Sequence, residues 1–408
     1  MPVALRIASF VPSFPELSET FILRQIAGLI ERGHDVRVFT HGEARRGPVQ
    51  ELVARHDLLS RVRVLGDATA ASPQERHGRA APGAFLRMLR PRHARAAGGW
   101  GALARTLGAL RGEGPFDVVH CHYGPMGLRY GIAAQLCKAP LAVSFYGYDA
   151  SRYPRERGGA VYEPLFAQAP IVTSLSAHMD ARLCALGCAP ERIRRVPLSV
   201  EPAGGDESSG RVSRDDGVVR LLTVARLVEK KGHAHALRAI ARVSEEIPGL
   251  RYVVIGDGPL RADLEALAAT LGVADRVHFH SAATSDAVQR AMEDADLFVL
   301  PSVTASDGDE EGTPTVLLEA AYRRLPVLAT RHAGIPEIVE DGESGVLVAE
   351  RDDADLADGL RAMVRARERW PAMGEAGRRL VIDRGHLMTD VAARLETLYG
   401  EMLATGTT

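Results

Sequence analysis

The chain has 408 residues, of which 46% are hydrophobic and 25% are charged, and its formal net charge is −2. This composition excludes a disordered or fibrous protein, and the balanced charge excludes the general attraction for nucleic acid that a strongly basic protein has. The chain is too long for one ordinary hydrophobic core, so we expect two domains of about 200 residues each.

The N-terminal residues lack the pattern of a signal peptide, because Arg6 and several prolines interrupt any apolar core. No run of about 18 apolar residues occurs anywhere, so no segment is expected to span a bilayer. The four cysteines are too few and too scattered for a disulfide framework, which favours reduced thiols. We therefore expect a cytoplasmic protein, either soluble or peripheral on the inner face of the membrane.

The first predicted elements form a strand–helix–strand unit. They are the strand "VALRIASFV", the loop "PSFPELSET", the helix "FILRQIAGLIERG" and the strand "HDVRVFT". Ser18 is a candidate N-cap with Glu19 in the first turn, and Gly33 is a candidate stop. Ser18 also belongs to a loop at a strand end, where an acceptor could bind.

Residues 76–111 contain eight arginines and no Asp or Glu. Apolar side chains alternate with these arginines, so the stretch is partly amphipathic. It could contact anionic lipid or hold an acidic acceptor, and a solvated helix face is about as good an interpretation.

The next predicted elements bring polar residues to strand ends. The strand "FDVVHCH" places His120 and His122 on one face and leads into a predicted helix, "GLRYGIAAQLC". The loop "SFYGYDAS" follows the strand "PLAVSFYG" and offers Tyr146, Tyr148 and Asp149 to the same cleft. A packed, hydrogen-bonded histidine is the alternative, and the His-x-His spacing also suits a metal, although no third ligand is evident.

Residues 201–217 are rich in Gly, Ser and Asp and are predicted to be a linker. Residues 1–200 would then form an acceptor-side domain and residues 218–385 a second domain. Strands alternate with helices in both, which predicts two Rossmann-like α/β domains with doubly wound parallel sheets facing across a cleft. Residues 386–408 should form a last amphipathic helix that packs back towards the first domain.

Two loops of the second domain follow strands. In "VARLVEKKGH", Arg226 and Lys231 could bind phosphate oxygens, although a solvated surface is the more common role for such a loop. In "VVIGDGP", Gly256 and Gly258 would bring the backbone close to a ligand, and a plain turn is an equally good interpretation.

The segment "EEGTPTVLLEA" is predicted to start a helix near Pro314, with Thr313 as its cap. Free amides at a helix start bind phosphate, and Gly312 would let a ligand approach. Glu311 and Glu319 flank this site, and since carboxylates repel phosphate, they should bind sugar hydroxyls. A nucleotide sugar satisfies these conditions. The alternative interpretation is a solvated capping loop that binds no ligand. The nearby "DGD" at 307–309 is expected to be solvated, and no metal is predicted.

The segments "ARLVEKKG", "GDGP", "EGTPTVLLEA", "AGIPEIV" and "DGESGVLV", in this order, resemble the retaining glycosyltransferases of family four, which have the GT-B fold. The first domain adds "SETFI", "DVVHCHYG" and "YGYDAS", which are similar to members that build bacterial polysaccharides. The sequence departs from many relatives in carrying Tyr146 in place of a histidine and in lacking paired glycines in the N-terminal loop.

The resemblance implies a role for each matching residue. Arg226 and Lys231 would bind the donor diphosphate, Glu319 the ribose hydroxyls and Glu311 the transferred sugar, while His122 would reach that sugar from the first domain. The catalytic set would be His122, Glu311, Arg226 and Lys231. The full donor-binding set would be Arg226, Lys231, Gly256, Gly258, Glu311, Gly312, Thr313, Pro314, Thr315, Val316 and Glu319. The acceptor side would include Tyr146, Asp149 and Ser18.

The resemblance also implies an activity. It is transfer of a sugar from a UDP- or GDP-linked donor to a hydroxyl of a glycan, a lipid-linked acceptor or a small molecule, with retention and with no metal or cofactor. A phosphate oxygen of the leaving nucleotide would help to deprotonate the acceptor. Two other functions stay open, namely a sugar-nucleotide epimerase or hydrolase and a non-catalytic nucleotide-sugar binding subunit.

Overall fold

The computed structural model describes residues 3–16, 19–41, 50–65, 99–202, 214 and 216–405. Ser18, most of the predicted linker and residues 76–98 of the arginine-rich stretch lie outside these ranges. In the described part of the chain the strands form two sheets, and every strand pairing in them is parallel.

The first sheet has the strand order β3-β2-β1-β4-β5-β6-β7. Its strands are β1 (Arg6–Val11), β2 (Asp35–Thr40), β3 (Val62–Val64), β4 (Val118–His122), β5 (Leu141–Ser144), β6 (Ile171–Ser174) and β7 (Ile193–Arg195). The accompanying helices are α1 (Thr20–Glu31), α2 (Glu51–Arg55), α3 (Trp100–Glu113), α4 (Gly124–Tyr130), α5 (Ile132–Cys137), α6 (Arg152–Arg157), α7 (Glu163–Gln168) and α8 (Ala177–Ala185).

The second sheet has the order β10-β9-β8-β11-β12-β13. Its strands are β8 (Val219–Val224), β9 (Leu250–Ile255), β10 (Val277–His280), β11 (Leu297–Leu300), β12 (Val327–Thr330) and β13 (Gly345–Val348). The helices are α9 (His233–Val243), α10 (Arg261–Thr270), α11 (Ser285–Asp294), α12 (Thr315–Tyr322), α13 (Asp353–Arg365), α14 (Trp370–Asp383) and α15 (Met388–Thr405).

The central strands explain why the sheets are parallel and covered on both faces. Every residue of β4, β5 and β11 is buried, as expected for strands that have helices on both sides. In each sheet the strand order reverses beside the first strand of the unit, so the loops after β1 and β4, and after β8 and β11, open a crevice. The predicted fold class, two Rossmann-like domains, is confirmed.

Two local predictions differ from the structure. The segment "GLRYGIAAQLC" was expected to be one helix, but it forms α4 and α5 with a turn at Gly131 between them. Helix α1 begins at Thr20 with Glu19 in the N-cap position, and no side chain caps it.

The chain crosses between the two sheets at two neighbouring places. The amide of Val200 donates to the carbonyl of His386 (2.8 Å), and the amide of Met388 donates back to the carbonyl of Val200 (3.0 Å). Helix α15 then packs along α1, on the side of the first sheet. Among the described residues no helix is long and apolar enough to cross a membrane.

Candidate active site

The loop between β11 and α12 carries the segment that the sequence singled out. Helix α12 begins at Thr315, and Pro314, near which the helix was predicted to start, occupies the N-cap position. The prediction that Thr313 caps the helix is wrong, since no side chain does so and Thr313 is buried. In the described part of the chain nothing accepts a hydrogen bond from the amides of Thr315 and Val316, so both can bind an anion.

A buried ion pair lies next to this helix start. The Nζ atom of Lys231 is 2.6 Å from Oε1 of Glu311, and the two side chains are only 13% and 7% exposed. Burial alone would raise the pKa of Glu311, but the charges of Lys231 and Lys230 lower it to about 2. Burial lowers the pKa of Lys231 against the opposing effect of Glu311. Loops from β8 and β11 therefore place opposite charges at one point of the cleft.

Arg226 follows β8 and points into solvent. Its side chain is exposed and has no hydrogen bond or ion pair with any described residue. Gly256 and Gly258 pack directly against the backbone of residues 225–227, where a Cβ atom on either would overlap a carbonyl oxygen. The two glycines thus support the loop that presents Arg226.

Glu319 is not free in this structure. Its Oε1 accepts a hydrogen bond from Nη2 of Arg24 in α1 at 2.6 Å, while Nη1 of Arg24 donates to the carbonyl of Ser199. Arg24 is buried, although it belongs to the first half of the chain. A ribose that used Glu319 would share it with, or take it from, Arg24.

Glu310 forms a second ion-pair contact between the two halves. Its carboxylate pairs with Arg182 of α8 and lies 3.2 Å from Nε2 of His178. Burial alone would raise the pKa of Glu310, but the hydrogen bonds from His178 and Arg182 bring it down to about 2. Beside Glu310, the backbone of Gly312 packs against the carbonyl group of Tyr146. This carbonyl group occupies the space next to Gly312 that was predicted to admit a ligand.

His120 and His122 share one face of β4, as predicted, with ring centroids 4.3 Å apart. The ring nitrogens of His122 bond the hydroxyl groups of Tyr146 (2.7 Å) and Ser9 (3.0 Å), and those of His120 bond Tyr399 and Ser144. Burial lowers the pKa of both, to about 3 for His120, so both rings are neutral at pH 7. A sugar would touch His122, which is 2% exposed, only after the Tyr146 hydroxyl moved away.

Tyr146 and Asp149 have different roles in the loop after β5. Tyr146 is buried, bonds His122 of β4 through its hydroxyl group and packs against Phe21 and Tyr123. The prediction that Asp149 faces the cleft is wrong, because its carboxylate is fully buried and accepts the amides of Tyr146, Gly147 and Gly124. Asp149 shapes the loop.

Sequence reasoning missed Arg24 and Glu310. Arg24 had one usable signal, because a polar residue stood inside the strongly apolar helix "FILRQIAGLI". Glu310 had none, since its partners in α8 are far away in sequence. No three His, Cys, Asp or Glu side chains of the described residues come together in a way that could hold a metal ion.

Comparison with known proteins identifies the family of the chain. The model for "Glycosyl transferases group 1" matches residues 206–380, and that for "Glycosyl transferase 4-like domain" matches residues 18–199. The chain is 32% identical over 379 residues to the putative colanic acid biosynthesis glycosyltransferase WcaL of Salmonella typhimurium, covering 86% of this chain and 89% of that protein.

The chain belongs to glycosyltransferase family four. It is also 31% identical to the amylovoran biosynthesis glycosyltransferase AmsK of Erwinia amylovora, over 86% of this chain and 89% of AmsK. Anabaena HepE, whose structure was solved in complex with UDP and glucose, has the same fold, with a TM-score of 0.72 and 16% sequence identity. The match covers 97% of this chain and 100% of HepE. This family-four glycosyltransferase therefore has the two-domain architecture that the sequence predicted.

Proposed function

We propose that this glycosyltransferase moves a sugar from a UDP- or GDP-linked donor to a hydroxyl acceptor, with retention of the anomeric configuration and without a metal. The acceptor would be a glycan, a lipid-linked glycan or a small molecule of polysaccharide biosynthesis. The observation that carries the proposal is the buried Lys231–Glu311 pair at the start of α12, with the unpaired Arg226 close by.

The charges around this point suit a diphosphate next to a sugar. Two phosphates need cations and amide donors, which Arg226, Lys231 and the first turn of α12 supply. The carboxylate of Glu311 would be repelled by phosphate oxygens, so its free capacity suits hydroxyl groups of the transferred sugar. Glu319, in the second turn of α12, is placed to accept ribose hydroxyls once Arg24 shares or releases it.

The proposed reaction needs no protein nucleophile. The bond between the anomeric carbon and the phosphate oxygen breaks as the acceptor oxygen attacks the same face. The acceptor proton goes to a phosphate oxygen of the leaving diphosphate. Arg226 and Lys231 stabilise the negative charge that grows on that group, which is the type of electrostatic assistance that contributes most in such sites.

Donor turnover tests this proposal. The protein is incubated with a panel of UDP- and GDP-linked sugars, and binding is scored by thermal shift because ligands that bind only the folded state raise Tm. Octyl glycosides then serve as acceptor probes, with products analysed by mass spectrometry and their anomeric configuration by NMR. Glu311→Ala and Arg226→Ala should each abolish most turnover, whereas Arg331→Ala, in an exposed ion pair with Asp341, should not.

Controls separate the proposal from its rivals. Turnover in excess EDTA is expected to persist. Donor consumption at the same rate without any acceptor would indicate a hydrolase or an epimerase, and binding with no product from any probe would indicate a binding subunit. Unchanged turnover in both alanine variants would contradict the assigned site.

We also propose that the enzyme is cytoplasmic and contacts the inner face of the membrane through residues 76–111. The arginines of this stretch would bind anionic lipid at low ionic strength. Sedimentation with vesicles that contain anionic lipid, at low and high salt, tests this contact. Failure to sediment at low salt would contradict it.

A further inference from the structure

Glu19 is an acidic residue of the loop between β1 and α1. It lies at the N-cap position of α1, where an acidic side chain commonly accepts the free amides of the helix. Its side chain makes no such bond and is partly exposed. The carboxyl group instead contacts Tyr123, where the loops after β1 and β4 open the crevice of the first sheet.

Tyr123 holds this carboxyl group in place. The Tyr123 hydroxyl donates a hydrogen bond to Oε1 of Glu19 at 2.9 Å. Tyr123 directly follows β4 and has φ 75, a conformation that residues other than glycine rarely adopt. Its ring also packs edge-on against Tyr146, with centroids 4.9 Å apart. The fold thus accepts a disfavoured backbone conformation at the residue that fixes Glu19.

The charged groups around Glu19 come from both domains. Burial is the main reason that the pKa of Glu19 rises to about 7, and the nearby carboxylates of Glu16 and Asp149 raise it further. The hydrogen bond from Tyr123 and the charge of Arg226 act in the opposite direction. Arg226 belongs to the second domain and is a proposed phosphate ligand, and its charge is near enough to Glu19 to lower the pKa of this carboxyl group.

We propose that Glu19 is an acceptor-binding residue, whose carboxylate accepts a hydrogen bond from a hydroxyl of the acceptor sugar beside the ring of Tyr123. A carboxylate so close to a diphosphate site needs a neutral partner that donates hydrogen bonds, and a hydroxyl meets that need. Glu19 lies in the domain opposite Glu311 and Glu319, which leaves it to the incoming sugar rather than to the donor. This inference rests on the proposed function.

The test compares the wild type with Glu19→Gln, Tyr123→Phe and the matched control Glu31→Gln at the other end of α1. Each is assayed with the best nucleotide sugar of the panel and an octyl glycoside as acceptor probe. Glu19→Gln should raise the acceptor KM about tenfold, the usual consequence of losing a charged hydrogen bond, and should leave the donor KM within about twofold. Glu31→Gln should behave as the wild type.

The pH profile adds a readout that a purely structural role would not change. Acceptor kcat/KM of the wild type should rise as pH passes through about 7, where Glu19 ionises, and Glu19→Gln should lack this rise. Tyr123→Phe removes a hydrogen bond that lowers the pKa, so the rise should move to higher pH. An unchanged acceptor KM and pH profile in Glu19→Gln, or an effect on the donor KM alone, would overturn the inference. A wild type that binds donors but transfers to no acceptor would contradict the proposed function instead.

Discussion

The carboxyl ends of the two sheets carry opposite kinds of polarity. At the first sheet, His120, His122 and Tyr146 form a neutral, buried network in which each ring nitrogen of the two histidines has a hydroxyl partner. At the second sheet, Lys231 and Glu311 form a charged pair, and Arg226 extends into solvent. This neutral wall, with the Glu19 carboxyl group beside it, suits sugar hydroxyls, and the charged wall suits a diphosphate, so the two sides of the cleft differ in charge before any ligand enters.

The largest effect is expected on the charged wall. Lys231→Met should reduce donor turnover by about 100-fold or more, since one preorganised cation at a developing charge contributes about that much. Initial rates at saturating acceptor measure it. Lys138→Met is the matched control, because Lys138 lies between α5 and the start of β5, at the amino end of the first sheet and away from the cleft end of its strands. Equal losses of donor turnover in both variants would contradict a specific role of Lys231 in turnover.

The neutral wall should make stability depend on pH. The pKa of His120 is about 3 in the folded protein and about 6.5 when unfolded, so the unfolded chain binds more protons between these values. The contribution of such a histidine to the free energy of unfolding is fully present above pH 6.5. Below pH 6.5 the free energy of unfolding falls by about 1.4 kcal/mol per pH unit. Urea titrations from pH 7 to pH 5 should show this slope, and His120→Asn should reduce it by about one proton. An identical slope in the variant would contradict a neutral buried His120.

The Glu310 contact titrates at lower pH. The folded pKa of Glu310 is about 2, below the ordinary value of 4.5, so its contribution is present above pH 4.5 and is lost as pH falls towards 2. Because Arg182 and His178 are partly exposed, we expect Glu310→Gln to cost about 1–2 kcal/mol at pH 6. The difference from wild type should shrink by pH 3 in the same denaturation experiment. If the difference in unfolding free energy between the variant and the wild type stays constant with pH, the charge of Glu310 does not stabilise the fold.

The smallest effect comes from the edge of the neutral network. Tyr399→Phe removes the hydroxyl that bonds Nδ1 of His120 at 2.7 Å and should cost about 1 kcal/mol of unfolding free energy. Donor affinity, measured by calorimetry, should stay unchanged because Tyr399 is buried in α15 and bonds His120, which is not among the residues proposed to bind the donor. Tyr148→Phe provides the control, since the Tyr148 side chain is 38% exposed. A loss of donor affinity in Tyr399→Phe would mean that the neutral wall also takes part in donor binding.

Much of the fold could be read from the sequence, for physical reasons visible in single elements. Strands such as "DLFVLPS" are continuous apolar runs because helices cover both faces of the sheet, and the alternation with amphipathic helices fixes a parallel arrangement. The turn at Gly131 was not foreseen, since the apolar spacing continues across it. Backbone packing against neighbouring elements decides such breaks.

Some contacts of the candidate site could also be predicted from the sequence and others could not. Lys231, Glu311 and the start of α12 are close in sequence or follow adjacent strands, so their proximity could be predicted from topology. Asp149 could not be placed, because its partners are backbone amides and sequence patterns carry no record of them. Arg24 and Glu319 are 295 positions apart in the sequence, so their pairing depends on how the two domains meet.

The paired crossing at Val200 and Met388 has a mechanical consequence. Both connections between the sheets run side by side and are tied by two backbone hydrogen bonds, so they act as one narrow joint rather than as two separate tethers. A rotation about this joint would separate Arg24 from Glu319 and Arg182 from Glu310 while leaving both sheets intact. Cleft opening would thus be opposed by these ion pairs, by hydrogen bonds such as that from the Glu310 amide to Ser151 and by apolar contacts between the two halves, but not by the strand pairing within either sheet.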